Sequence, residues 1–397
     1  MFELDVTPHF SGLSAGLYIL MGVIGALSIY KAKQVEVLNG KEASYKNKYL
    51  FFWWGAWVIF SVFRLVNQYT GGIDARSYIF FFENCNSAVS IDWFEHVEND
   101  LGFKWLTKVC RFITSEYKFY FFVIYGFMAF VYIRFFKRYT PVHTNFIPFI
   151  LCFFPFLLGF NTIRTTLAAA LILFACCFII EKKWKYAYLI GFSALLIHKS
   201  AIIYAAGIPF CHFFSHYKLN VKIAALSIYA TSVFITYLRD FFLKSFSNED
   251  FKSAFHSYAA NSVGTSFWDE GWKIAFEQIL LAVLMLVLNK RIGRFHSEID
   301  ENRLKIIWLL CIYDFMMIPV NFVMGSWRGY EFFYLARLVM WGECLYQIFR
   351  TMSPRTRDLC KIIAFVCFVM WMWFRIDAVW FRAQLSPYIF EPLLYFF

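Results

Sequence analysis

Arg164 and His198 bracket an otherwise apolar stretch, residues 161–204, reading NTIRTTLAAALILFACCFIIEKKWKYAYLIGFSALLIHKSAIIY. Arg164 opens an apolar run over 165–180, the basic segment 181–185 supplies a tight turn, and 186–197 runs back. As helices these runs cover roughly 24 Å down and roughly 18 Å back, so both ionisable side chains belong at one end of a hairpin. Charge near membrane depth costs a few kcal/mol, and such residues often mark a site. A guanidinium at a helix start combines a planar donor fork with free N–H groups, which suits phosphate or diphosphate. Imidazole near neutral pH suits a general base for a hydroxyl. The small residues Ala168, Ala169 and Ala170 permit close helix packing, which favours an arginine inside a bundle over one that snorkels to lipid.

Other polar residues fall where they could join this pair. GGIDARSY places Asp74 just beyond an apolar run, as a second candidate base, and FEHVENDLGFKWL carries Glu95, Glu98 and Asp100. The apolar residues of 101–113 suit an amphipathic helix on a membrane surface. Arg328, in GSWRGYEFFYLAR, is expected shallow on the same side as Arg164, so the two could converge on one diphosphate. In TSFWDEGWK, Trp268 and Trp272 bracket Asp269 and Glu270, a combination that suits carbohydrate by ring stacking and hydroxyl hydrogen bonds; tryptophans of a membrane belt are the plainer reading. Arg64 and Arg375 are weaker candidates of the same kind, and Arg337 is intramembrane. The sequence contains no CxxC or HExxH and no spacing typical of metal ligands, so neither a metal nor a cofactor is expected. Cys85 and Cys110 share a loop and could pair in an oxidising compartment.

The elements that must position these residues are membrane helices. Hydrophobic residues make up 60% of the 397, and charged residues only 16%, far from a soluble composition. Apolar runs fall at 10–30, 49–66, 119–135, 145–160, 165–180, 186–198, 201–214, 221–238, 274–288, 304–323, 332–349 and 361–375, with 201–214 short enough to be re-entrant. The pattern predicts an all-α, polytopic bundle of about twelve spans in one integral membrane domain, residues 1–397. Alternate short loops hold about 22 of the 38 Lys and Arg, so that set is expected in the cytoplasm. Loops 67–117 and 239–273 and the Arg164 end then face outward. The net charge of +11 follows this asymmetry and does not point to nucleic acid. The acidic start MFELDVTPHFSG lacks the basic region of a signal peptide.

Taken together, these residues resemble the EpsG-like, Wzy-type polysaccharide polymerases. The R-x-x-x-A start at Arg164 and the closing histidine with Ser200 in LLIHKSAIIY resemble that family's core signature. Gly72, Asp74 and Tyr78 match its G-x-D-x-x-x-Y element, Glu98, Gly102 and Phe103 its acidic-then-Gly-Phe element, and Pro387–Tyr388 its C-terminal Pro-Tyr. Thr165 and Asn99 depart from the family's usual residues. The resemblance implies a GT-C-like membrane glycosyltransferase that needs no metal, in a bacterial inner membrane with its site facing the periplasm. It would join oligosaccharide repeat units carried on undecaprenyl diphosphate into a surface polysaccharide such as O-antigen, capsule or exopolysaccharide. Arg164 and Arg328 would hold the diphosphate, His198 or Asp74 would serve the acceptor hydroxyl, and Tyr78, Glu98 and the Trp268–Trp272 segment would meet glycan. Membrane lipids and a chain-length regulator are the further partners implied. The alternatives are a flippase for lipid-linked sugars, a glycan ligase, and an acyltransferase, for which Asp314 is the main buried candidate.

Overall fold

A computed structural model describes residues 9–39, 48–67, 70–72, 74–85, 100–141, 144–199, 201–215, 230, 272–292, 301–323, 332–383, 385–386 and 388–392. Helices dominate: α1 (Gly12–Asn39), α2 (Lys48–Val62), α3 (Ala75–Asn84), α4 (Leu101–Ile113) and α5 (Tyr117–Tyr139), then a 3-10 segment (Ile147–Cys152) that runs into α6 (Phe153–Leu158). There follow α7 (Ile163–Ile180), α8 (Trp184–Ile197), α9 (Ala201–Ala205), α10 (Gly207–Ser215), α11 (Trp272–Ile292), α12 (Glu301–Val323), α13 (Tyr334–Arg350) and α14 (Pro354–Ala383). Among the described residues there is no strand, only an isolated bridge between Arg64 and Phe390.

Four of these helices, α1, α5, α7 and α14, have segments long and apolar enough to cross a membrane, and shorter apolar helices accompany them. This is a helical membrane protein. Helical structure lies over the expected spans, except 221–238, of which only residue 230 is described. Two expected spans are broken. Residues 145–160 wind first as 3-10 helix, entered at Pro148, whose missing N–H suits a helix start. Residues 201–214 break at Ala206 into α9 and α10.

Helix α7 sits at the centre, with α8 packed against it and exposed on its other face. Of the apolar window in α7, 78% is buried, against 11% for α14 at the periphery. Ala168, Ala169 and Ala170 are all buried, as close helix packing requires. The turn closes where the basic segment was expected. Lys183 N–H donates to Phe178 O at 2.8 Å and Lys182 N–H to Ile179 O at 2.9 Å, with Lys182 left-handed at φ 58°. That is a Schellman closure, built on lysine where glycine would be unstrained. Glu181 ties the turn to the end of α5 through Arg138 at 2.9 Å and the Tyr139 hydroxyl at 3.0 Å, and pairs within the turn with Lys183 at 2.9 Å. Burial pulls the Glu181 carboxyl up. Hydrogen bonds from Lys183 and Tyr139, with the charge of Arg138, overcome that and hold it below the usual carboxylate range. The tie is therefore intact at neutral pH and is lost only as pH falls through that lowered value.

Aromatic rings fill the space between α1, α2, α5 and α6. Trp57 meets Phe153 and Phe156 with ring centroids 4.9 Å apart, and Trp53 meets Trp57 edge-on at 5.0 Å. Where helices meet in lipid, such fitted packing rather than exclusion of water holds them together.

The C-terminal residues return to the Arg164 end. Tyr388 stacks flat on Phe60 at 4.0 Å and donates its hydroxyl to Phe60 O at 2.8 Å. Leu65 N–H donates to Ile389 O, Glu391 N–H to Phe63 O, and Lys118 pairs with Glu391 at 2.9 Å. The tail thus clasps the loop that leaves α2.

Candidate functional site

Four elements deliver polar side chains to one place. Arg164 is the second residue of α7, and His198 caps the C-terminus of α8. Asp100 precedes α4, and Tyr78 lies one turn into α3. Arg164 Nη1 donates to Asp100 Oδ2 at 2.7 Å, and Arg164 Nε donates to the Tyr78 hydroxyl at 3.3 Å. The same Asp100 oxygen faces His198 Nδ1 at 3.3 Å. Asp100 is only 3% exposed, while Arg164 and His198 are 19% and 20% exposed. A buried carboxylate therefore backs a guanidinium and an imidazole that both reach an open surface.

Two glycines make this convergence possible. Gly72 has φ 106°, and a Cβ there would stand 2.1 Å from Phe160 O, four residues before Arg164. No other residue fits that approach. It lets the Asp74 N–H donate to Asn161 Oδ1 at 2.8 Å, which joins the α3 loop to the start of α7. Gly102 lies against the end of α8, where a Cβ would meet Leu196 Cβ at 2.8 Å. Leu196 is two residues before His198, so this contact brings Asp100 to the imidazole.

Arg64 holds the same region from beneath. Its Nε donates to Gly71 O at 2.9 Å, and its Nη2 to the Tyr125 hydroxyl at 2.9 Å and Phe160 O at 3.4 Å; Nη1 donates to Ser61 O. Phe160, Phe121 and Tyr125 rings face its guanidinium carbon at 4.4–5.0 Å. At 1% exposure, Arg64 is a tie between α2, the glycine loop, α5 and the turn before α7. It is not placed to receive a diphosphate.

The other intramembrane charges pair among themselves. Arg337 meets Asp314 at 3.0 Å, and Gln278 Nε2 donates to the same Asp314 oxygen at 2.7 Å. Arg375 meets Glu277 at 3.0 Å, packed against Phe154, Tyr334 and Trp371. These pairs join α11, α12, α13 and α14 by charges that balance, so Arg375, like Arg64, is committed to structure. Asp314 is held by Arg337 rather than waiting for a substrate.

Of the residues singled out in the sequence, Arg164, His198 and Tyr78 come together. The Asp74 N–H donates to Asn161 Oδ1 beside them, and the Asp100 carboxylate meets both Arg164 and His198. Arg328, Glu98, Trp268, Asp269 and Glu270 lie outside the described residues. Trp272 is described only as the first residue of α11. Cys85 and Cys110 are not joined to each other, so the disulfide left open by the sequence is absent. Among the described residues no group of His, Cys, Asp or Glu could hold a metal. Asp100 was one of three loop carboxylates the sequence offered, with Glu95 and Glu98, which lie outside the described residues. Its signal was position: it directly precedes an amphipathic helix and stands two residues from Gly102.

Comparison with known proteins gives one match. A sequence model described as EpsG family covers residues 51–390, most of the chain. No protein of curated function and no solved structure matches.

Proposed function

The chain belongs to the EpsG family, and we propose that it extends a bacterial surface polysaccharide by joining oligosaccharide units carried on undecaprenyl diphosphate. In this reading the bundle crosses the cytoplasmic membrane about twelve times, GT-C-like, with the Arg164 end outward. The observation that carries it is the contact of Arg164 and His198 with one buried carboxylate at the mouth of the hairpin of α7 and α8.

The chemistry divides among three side chains. The acceptor hydroxyl attacks the anomeric carbon of the donor glycan, and the bond from that carbon to the diphosphate oxygen breaks. Arg164 meets the charge that develops on the departing lipid diphosphate, where fixed cationic donors matter most. His198 takes the hydroxyl proton at Nε2. With Nδ1–H directed to Asp100, the imidazole is held in the tautomer that leaves Nε2 basic. Asp100 does two jobs in turn. Before substrate arrives it neutralises Arg164; when the diphosphate displaces it, its charge remains beside His198 and supports the imidazolium. Tyr78 steadies the guanidinium through Nε. The lipid-linked substrate brings its own leaving group, so the reaction requires no nucleotide sugar.

The test uses purified protein in nanodiscs with one lipid-linked repeat unit as sole substrate, with products separated by size. A ladder of longer lipid-linked glycans is expected. Sugar that crosses a proteoliposome bilayer without lengthening would overturn the reading and identify a flippase.

A further inference from the structure

Helix α4 is amphipathic, with one apolar face exposed and the other packed. Leu101, Trp105, Val109, Phe112 and Ile113, one helical stripe, are 52–90% exposed. The opposite face is buried, with Phe103 against Tyr78 at 5.6 Å and Thr107 Oγ1 bonded to Phe103 O at 2.9 Å and the Tyr120 hydroxyl at 3.3 Å. Lys104, Lys108 and Arg111 run beside the exposed stripe.

This helix does not span a membrane. Its 13 residues measure about 20 Å, against roughly 30 Å of hydrocarbon. Its contacts also lie at one end of the bundle. Gly102 touches the last turn of α8, and Thr107 reaches the first turn of α5. Asp100 meets Arg164 at the start of α7. A helix with these neighbours lies across the ends of spanning helices, along the membrane surface.

We propose that α4 is seated in the headgroup region of the leaflet at that end, and that its partner is anionic phospholipid. The stripe from Leu101 to Ile113 enters the upper acyl chains, and Lys104, Lys108 and Arg111 lie level with the phosphates. Because Asp100 is the residue on which α4 begins, the seat of the helix in lipid sets the carboxylate against Arg164 and His198. This consequence for catalysis rests on the function proposed above; the lipid surface itself does not.

The experiment places nitroxide labels singly on cysteines at Lys104, Trp105, Lys108, Val109 and Phe112 of the full chain in nanodiscs, with accessible Cys85, Cys360 and Cys367 changed to Ser. Labels at Trp105, Val109 and Phe112 are expected to collide with oxygen and be shielded from a water-soluble nickel complex. Labels at Lys104 and Lys108 should show the reverse. Exchange of phosphatidylglycerol for phosphatidylcholine should make all five shallower. Nickel access at Val109 and Phe112 would overturn the proposal, as would labels shielded from both reagents, which would indicate a protein partner or a second copy. Depths indifferent to lipid charge would overturn the anionic partner. In parallel, Val109→Glu should lower glycan extension at least tenfold in nanodiscs while elution in detergent stays unchanged. An inactive wild type with lipid-buried labels would sink the polymerase reading alone, and full activity of Val109→Glu would sink the link from lipid seat to site.

Discussion

Arg164→Ala is expected to abolish measurable glycan extension, with a loss of at least about 10²-fold, the scale seen when one fixed donor is removed from a developing anion. The argument is geometric. The guanidinium is held from two sides, by Asp100 at 2.7 Å and Tyr78 at 3.3 Å, so it is aimed before substrate arrives. Removal also leaves Asp100, 3% exposed, without its cation beside His198. Two effects then add: the leaving diphosphate loses its counter-charge, and the imidazole loses its correct surroundings. Arg164→Lys restores charge but not the two-sided grip, since a lysine is a single point of charge on a flexible stem. It should recover only a small part of the rate. Extension kinetics on lipid-linked repeat units read both variants, and wild-type rates from Arg164→Ala would remove the arginine from the reaction.

Arg64→Leu is expected to fail in a different way, by loss of the folded state rather than of substrate binding. The carbonyls of Ser61, Gly71 and Phe160 and the Tyr125 hydroxyl all accept from this one side chain. A leucine leaves the three carbonyls without this donor, at roughly 1–3 kcal/mol each when none relaxes, while the Tyr125 hydroxyl keeps its bond to Gly159 O. A cost of at least about 3 kcal/mol is expected, with a lower midpoint for thermal aggregation in detergent. Arg64→Lys should be little better, because one ammonium cannot span four acceptors on four segments. A variant as stable as wild type would show that the carbonyl cage does not depend on the guanidinium. The contrast with Arg164 is instructive. Both arginines stand at the same end of a span, yet one is enclosed by backbone oxygens and the other is held at a surface by a carboxylate.

That contrast also marks what the sequence reveals and what it conceals. Apolar runs and a basic turn were enough to place the hairpin of α7 and α8 and to bring Arg164 and His198 to one end, because helical rise and span length fix depth. The family resemblance brought in Tyr78. Asp100 is separated from Arg164 by 64 residues and from His198 by 98. Its arrival depends on how α3 and α4 fold over the helix ends, and no periodicity encodes that. Acidic residues in a polar loop look alike by type. Gly102, two residues after Asp100, lets α4 close on Leu196 because it has no side chain, and Glu95 and Glu98 lie outside the described residues. Arg64 was misjudged for the converse reason. An arginine beside aromatic residues at a span end has the same local pattern whether a phosphate or a ring of carbonyls waits for it. The charges at Asp314 and Arg337 were legible as intramembrane, but their mutual pairing needed the packing of α12 against α13.

The central claim is that Arg164, Asp100 and His198 act as one site, and the most direct measurement is the extension rate of single and combined variants. Arg164→Ala, His198→Ala and Asp100→Asn would each be compared with the Arg164→Ala/His198→Ala double variant on the same lipid-linked repeat unit. Side chains that serve one transition state give strongly non-additive losses. The account predicts that the double variant is no slower than about tenfold below the worse single one, and that Asp100→Asn lowers kcat without raising KM for the donor. Losses that multiply in the double variant, or an Asp100→Asn protein with normal kcat, would contradict it.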